Sequence, residues 1–185
     1  NAMLSLFLFA VALAVAAMWY YLKGAPKFYE STGSVEVSSH APNVLNIPLR
    51  PPAVVARSAA SLDLLSGGRF DLGLGAGGFW DAIEAMGGTR LTPGQAVTAL
   101  EEAIDLIRDL WVTSEKRGVF TDGTYHRVHG AKRGPRPAHD IPILIGAYKP
   151  RMLALTGRKG DGWLPSLGYM KDGDLAKGNA AIDEA

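Results

Sequence analysis

The stretch that decides the fold runs from Arg69 to Phe79 and reads RFDLGLGAGGF. Phe70, Leu72 and Leu74 alternate with Asp71, Gly73 and Gly75, the period-2 pattern of a strand. The strand then enters a backbone nearly bare of side chains. Because glycine lacks a Cβ, Gly75, Gly77 and Gly78 allow positive φ and let a flat or bulky ligand approach main-chain N–H groups at the strand's carboxyl end. A tight turn without a ligand is the plainer reading of the same glycines. The spacing Gly73-x-Gly75-x-x-Gly78 also spells a dinucleotide fingerprint. That motif needs a full helix directly after the glycines and a second strand ending in an acidic residue about 20 residues on. Trp80 to Met86 is stopped early by Gly87-Gly88, and Ala99-Leu100-Glu101-Glu102 sits inside a helical pattern, so the Rossmann reading is disfavoured.

Working outward, the flanking segments read as further strand-then-helix units. Downstream, Thr92 suits a cap and Pro93 the first helical position, and Val97, Leu100, Ile104, Ile107 and Trp111 recur at helical spacing as a core stripe. Val119 to Val128 (VFTDGTYHRV) reads as a hairpin turning at Asp122-Gly123 and lying over the site. His126 and His129 lack neighbouring ligands for a convincing metal centre, and no metal site is expected. Ile141 to Ile145 is a continuous apolar strand ending at Gly146-Ala147, and Pro150 opens a helix over Arg151 to Arg158. The N–H groups at that helix start favour a phosphate, with Lys149 and Arg151 as nearby cations, although both also suit a plain solvated surface. Gly162 to Leu167 (GWLPSL) reads as the next strand, and Asp174 to Ala185 as a helix.

Upstream, Pro51-Pro52 opens a helix over Ala53 to Leu65, with Val54, Ala59, Leu62 and Leu65 as its expected buried stripe and Gly67-Gly68 as its stop. Ser34 to Ser39 reads as a strand that delivers His40 to its carboxyl end. Met3 to Leu22 is apolar enough to cross a bilayer, for which about 20 such residues suffice. The run divides into a strand, Leu4 to Phe9, and an Ala-rich helix, Val11 to Tyr21, and no Lys or Arg precedes it. A buried strand and helix are therefore favoured over a membrane anchor or a secretory signal. Asn1-Ala2 before Met3 has the look of a tag remnant.

With 185 residues, 48% of them hydrophobic, the chain has material for one core and reads as one domain over 1–185. The formal net charge is +1, from 19 basic and 18 acidic residues, which gives no electrostatic reason to expect nucleic acid or an anionic membrane. Cysteine is absent, which removes disulfides and thiolate chemistry and is compatible with a reducing cytoplasm.

Alternating βα units with buried, parallel-type strands imply an α/β architecture with its ligand at the strands' carboxyl ends. The same residues resemble the bacterial luciferase-like family of flavin- or deazaflavin-dependent oxidoreductases, whose fold is a (β/α)8 TIM barrel. The resemblance is densest in Pro48 to Gly78 and Ile141 to Leu167, and Leu4 to Phe9 resembles the family's first strand. It implies that His40 stands at the reacting face of the cofactor, where it binds substrate or exchanges the proton. It also implies that Gly75, Ala76 and Gly77 pass close to the isoalloxazine or deazaflavin ring. Gly146, Ala147 and Tyr148, with Lys149 and Arg151, would hold the ribityl phosphate region, and Trp163 and Ser166 would lie beside them.

The departures from the family pattern are specific. Ser39 replaces the usual acidic neighbour of the histidine, and Asn43 runs directly into Val44 where a helix and most of a strand would stand. About five to six βα units are recognisable, whereas a complete barrel takes about 250 residues. The expected protein is an incomplete barrel that uses F420 for hydride transfer, or FMN for monooxygenation, on a small organic substrate. The Pro48 to Gly78 block resembles F420-using members most. Uncovered strand edges imply a homo-oligomer. The alternatives are a non-catalytic, flavin-binding relative and a membrane-tethered protein.

Overall fold

A computed structural model describes residues 45–185. The expected elements Leu4–Phe9, Val11–Tyr21 and Ser34–Ser39, together with His40, lie outside the described residues.

Four short parallel strands form the sheet: β1 (Leu45–Asn46), β2 (Leu72–Gly75), β5 (Ile143–Ala147) and β6 (Gly162–Pro165), in the spatial order β1-β2-β5-β6. Helices make the crossovers, as parallel pairing requires. After β1, a 3-10 turn (Ile47–Leu49) leads into α1 (Pro52–Ser66). After β2 come the short α2 (Trp80–Ala85) and the long α3 (Pro93–Trp111), and after β5 comes α4 (Pro150–Lys159). Beyond β6, a 3-10 turn (Leu167–Tyr169) precedes α5 (Asp174–Asp183). The fold is α/β and forms part of a barrel, as expected.

Local chemistry starts and stops these helices. Thr92 and Gln95 form a complete capping box at the head of α3, with Pro93 inside the first turn. Gly67 ends α1 at φ 69°, a conformation that costs a residue with a Cβ about 1 kcal/mol. The core lies between the helices and one face of the sheet. Leu72, Leu74, Ile143 and Ile145 are buried there against Leu100, Ile104 and Ile107 of α3 and Leu155 of α4. Each such side chain contributes about 1.5–3 kcal/mol by leaving water.

Three sequence expectations need correction. In α1 the buried face is Val55, Ala56, Ala59, Ala60 and Asp63, while Val54, Leu62 and Leu65 point outward. The carboxylate of Asp63 is tied beneath the helix to the segment before β5, and this sets the helix's rotation. The hairpin strands β3 (Val119–Asp122) and β4 (Arg127–Ala131) pair antiparallel, with Asp122 opposite Arg127. The turn therefore spans Gly123 to His126 rather than Asp122-Gly123 alone. Its shape is set by Glu102 on α3, whose carboxylate accepts the N–H groups of Thr124, Tyr125 and His126 at 2.9, 2.8 and 3.1 Å. Finally, β5 starts at Ile143, two residues later than the apolar run, because Pro142 has no N–H to give to the ladder; its carbonyl still accepts the N–H of Leu72.

Candidate functional site

Parallel pairing aligns the carboxyl ends of all four strands along one edge of the sheet. Gly75 ends β2 and Ala147 ends its neighbour β5, and Ala147 is in register with Pro165 at the end of β6. On the face away from the helices stand Gly73, Gly75, Leu144, Gly146 and Leu164. A Cβ at Gly73 would lie 3.2 Å from Leu164 Cδ1, two strands away, so the sheet curls toward this face. The upper, carboxyl part of the concave face offers main chain from β2 and β5 rather than side chains.

The glycine turn itself is braced from one side. Gly77 has φ 97°, and a Cβ there would meet Trp80 Cη2 at 3.0 Å and Ile83 Cδ1 at 3.1 Å. Ala76 is buried and Gly78 has open space around it. Trp80, which sequence reading passed over as the start of a short helix, thus supports the turn. Next to it, Phe79 is 65% exposed at the same edge.

Around β5 and β6 the predicted residues separate into two groups. Tyr148 is partly exposed, and Lys149 Nζ lies over its ring, 4.9 Å from the centroid. Lys149 also caps α4, its carbonyl accepting the N–H groups of Met152 and Leu153. Arg151, by contrast, turns toward α3, with Nη2 3.4 Å from Thr98 Oγ1. Trp163 lies on the helix side, where its Nε1 donates to the carbonyl of Ala147 at 2.9 Å and its ring packs on Gly178 of α5. Ser166 accepts the N–H of Tyr169 through its carbonyl and so shapes the turn after β6. A cavity of about 330 Å³ lies among Tyr148, Lys149, Leu153, Trp163 and Lys177.

The hairpin is not where the sequence suggested. Tyr125 and His126 line a separate cavity of about 530 Å³ with Ile47, Arg50, Leu91 and Val128, and none of the expected cofactor residues borders it. Glu102 draws the hairpin tip onto α3 instead. His126 Nε2 lies 3.0 Å from the Ala99 carbonyl, and burial lowers the imidazole pKa despite that bond and the nearby Glu102 charge. Glu102 and Asp63 were both missed as organising residues, since their partners are far away in sequence.

A parallel sheet with helices on one face, a concave second face and a glycine-lined carboxyl edge is a sector of a (β/α)8 barrel. The chain belongs to the luciferase-like monooxygenase family, whose pattern matches residues 41–184. A 5,10-methylenetetrahydromethanopterin reductase of Archaeoglobus fulgidus is 38% identical over 140 residues, 75% of this chain and 39% of that protein. An F420-dependent glucose-6-phosphate dehydrogenase of Kribbella flavida is 35% identical over 117 residues, 63% of this chain and 34% of the other. The solved structure of the coenzyme F420-dependent tetrahydromethanopterin reductase from Methanopyrus kandleri matches with a TM-score of 0.64 at 26% identity, over 77% of this chain and 43% of that one. The chain therefore spans 34–43% of the length of these relatives. Among the described residues, no helix is long and apolar enough to cross a membrane.

Proposed function

We propose that the chain carries the cofactor-facing part of an F420-dependent oxidoreductase that exchanges a hydride with a small organic substrate. The observation that carries this reading is the glycine-lined edge, where the ends of β2 and β5 lie side by side and Gly78 has nothing within 4 Å of a would-be Cβ. The residues fit a deazaflavin: a flat ring needs bare backbone, and a phosphate-bearing tail needs N–H donors and a cation. The names of the relatives support F420 over FMN and hydride transfer over monooxygenation.

When bound, the deazaflavin supplies the hydride chemistry. The main chain of Gly75, Ala76, Gly77 and Gly146 would hold the ring, with Trp80 bracing the Gly77 turn behind it. Ala147, Tyr148 and the first turn of α4 would hold the tail, with Lys149 offsetting its charge. Trp163 acts through its bond to Ala147, holding the end of β5 in place, and Ser166 shapes the rim beyond β6. Arg151, which stands beside Thr98 at the same helix start, would add a second cation for the tail. His40 holds or exchanges the proton at the substrate, with Ser39 rather than an acid as its neighbour. A single barrel domain over 1–185, a cytoplasmic location and association of copies complete the proposal.

The test is titration of the purified chain with F420 and, separately, FMN, followed by fluorescence. Saturable binding of F420 at micromolar levels or below is expected. A His40→Ala variant should then keep binding and lose turnover. Tighter binding of FMN than of F420 would move the chemistry to monooxygenation, and binding of neither would leave a non-catalytic relative.

A further inference from the structure

The cavity at the hairpin tip shares no residue with the glycine-lined edge, and its walls have a chemistry of their own. One wall is the strap from Ile47 to Ala53 that leads from β1 into α1, and the other is Thr124 to Val128 of the hairpin. Both rest on α3, which contributes Ala99 and Leu106 between them. A volume of about 530 Å³ suits a small molecule. Much of the lining is apolar and stiff, with the rings of Pro48 and Pro51, the phenol of Tyr125, and Leu91 and Val128. Rings have little rotamer freedom to lose when a ligand settles on them, so these surfaces favour a flat aromatic body over a flexible chain.

Two polar groups are left over from the fold. His126 Nε2 lies 3.0 Å from the Ala99 carbonyl, which can only accept, so Nε2 carries the proton and Nδ1 the lone pair. Nδ1 has no partner among the described residues and is not sealed from solvent, so it opens onto the cavity that the ring lines. Arg50 engages only its main chain, whose N–H bonds the Ile47 carbonyl at 3.1 Å. Its guanidinium is exposed and has no partner among the described residues. The other charges nearby are already committed. Arg127 Nε pairs with Asp122 at 3.1 Å, and the Glu102 carboxylate accepts the three N–H groups of the hairpin tip. What remains is an unused acceptor on one wall, an unused cation on the other, and flat apolar surface between them.

We propose that this cavity is a second ligand site and that it takes a small aromatic hydroxy acid. The hydroxyl donates to His126 Nδ1, the carboxylate pairs with Arg50, and the ring lies on Pro48, Pro51 and Tyr125. The inference does not depend on which cofactor the chain binds.

The probe is 6-hydroxy-2-naphthoate, followed through the amide chemical shifts of the chain. It should saturate at millimolar levels or below and move the amides of Leu91 and of Thr124 to Val128. 2-Naphthoate, which lacks the hydroxyl, should bind about fivefold more weakly, and 2-naphthol, which lacks the carboxylate, about tenfold. Arg50→Gln alters an exposed side chain and should bring the hydroxy acid down to the affinity of 2-naphthol, while binding of 2-naphthol itself and of F420 stays unchanged. Saturating F420 should leave the affinity for the probe as it was. An absence of saturable shifts at those amides overturns the proposal. So does a control compound that binds as tightly as the hydroxy acid, an Arg50→Gln variant without effect, or displacement of the probe by F420, which would put it on the glycine edge. Failure of F420 to bind, with the probe still seated at these amides, strikes only the cofactor reading and leaves this site standing.

Discussion

Asp63 on α1 and His139 ahead of β5 grip each other through two separate bonds. One carboxylate oxygen meets the ring Nδ1 at 2.8 Å, and the other accepts the His139 N–H at 3.1 Å and the Ala138 N–H at 2.8 Å. The Asp63 side chain is fully buried, so this grip determines which side of α1 faces the core.

Burial alone would push the Asp63 carboxyl up in pKa. The His139 and Ala138 N–H groups and the His139 ring outweigh it, so the carboxyl is held below its ordinary value. A depressed carboxylate stabilises the fold above its unfolded pKa of about 4, and that contribution is lost as pH falls through the lower folded value. Asp63→Asn should lower the urea midpoint at pH 7. The gap from the unaltered chain should then narrow as the pH drops below about 4. A constant gap across that window would show that the carboxylate's charge is not what matters.

Glu102 organises the hairpin tip from α3. Burial raises its pKa, and the N–H groups of Tyr125, His126 and Thr124 together pull it below the ordinary value. Glu102→Ala leaves those three donors without their acceptor and should cost about 2 kcal/mol. Hydrogen exchange gives the sharper measurement: the amides of Thr124, Tyr125 and His126 should exchange at least tenfold faster, while those of α3 keep their protection.

Gly77 and Gly78 are adjacent and should respond differently. At Gly77 a methyl group faces both a positive φ and the Trp80 ring at 3.0 Å, so Gly77→Ala should cost about 1–2 kcal/mol. It should also move Trp80, visible as a change in tryptophan emission, and weaken F420 binding at least tenfold. Gly78→Ala meets open space and should leave thermal stability within about 0.5 kcal/mol of the unaltered chain. Equal destabilisation by the two variants would contradict the bracing of the turn by Trp80.

Gly178 is the point where α5 rests on Trp163. A Cβ there would sit 2.2 Å from Trp163 Cη2, inside any tolerable contact. Gly178→Ala should therefore push the helix or the indole aside, at about 1–3 kcal/mol. The Trp163 bond to Ala147 links this contact to the end of β5, so F420 affinity should fall along with the thermal midpoint.

Several elements were legible from sequence because their causes are local. The alternation around Leu72 and Leu74, the Thr92 cap and the Gly67 stop each act within a few residues, and the structure has the corresponding strand and helix ends. The apolar strand before Gly146-Ala147 and the Pro150 helix start were legible for the same reason. The glycines at the carboxyl end of β2 were visible too, since a backbone bare of side chains can be read directly.

The sequence by itself determined the order of βα units, the ends of the helices and the positions of the glycines along the chain. Only the tertiary structure decided which face of α1 is buried, where the hairpin lies, and that Trp163 stands on the helix side while Arg151 turns toward α3. Each of those outcomes depends on a polar group finding its partner across the chain. Asp63 bonds a residue 76 positions away, Glu102 reaches 22 to 24 positions, and Arg151 meets Thr98 across 53. A buried group such as Asp63 must be paired, and no periodicity in the chain states which distant group completes a pair.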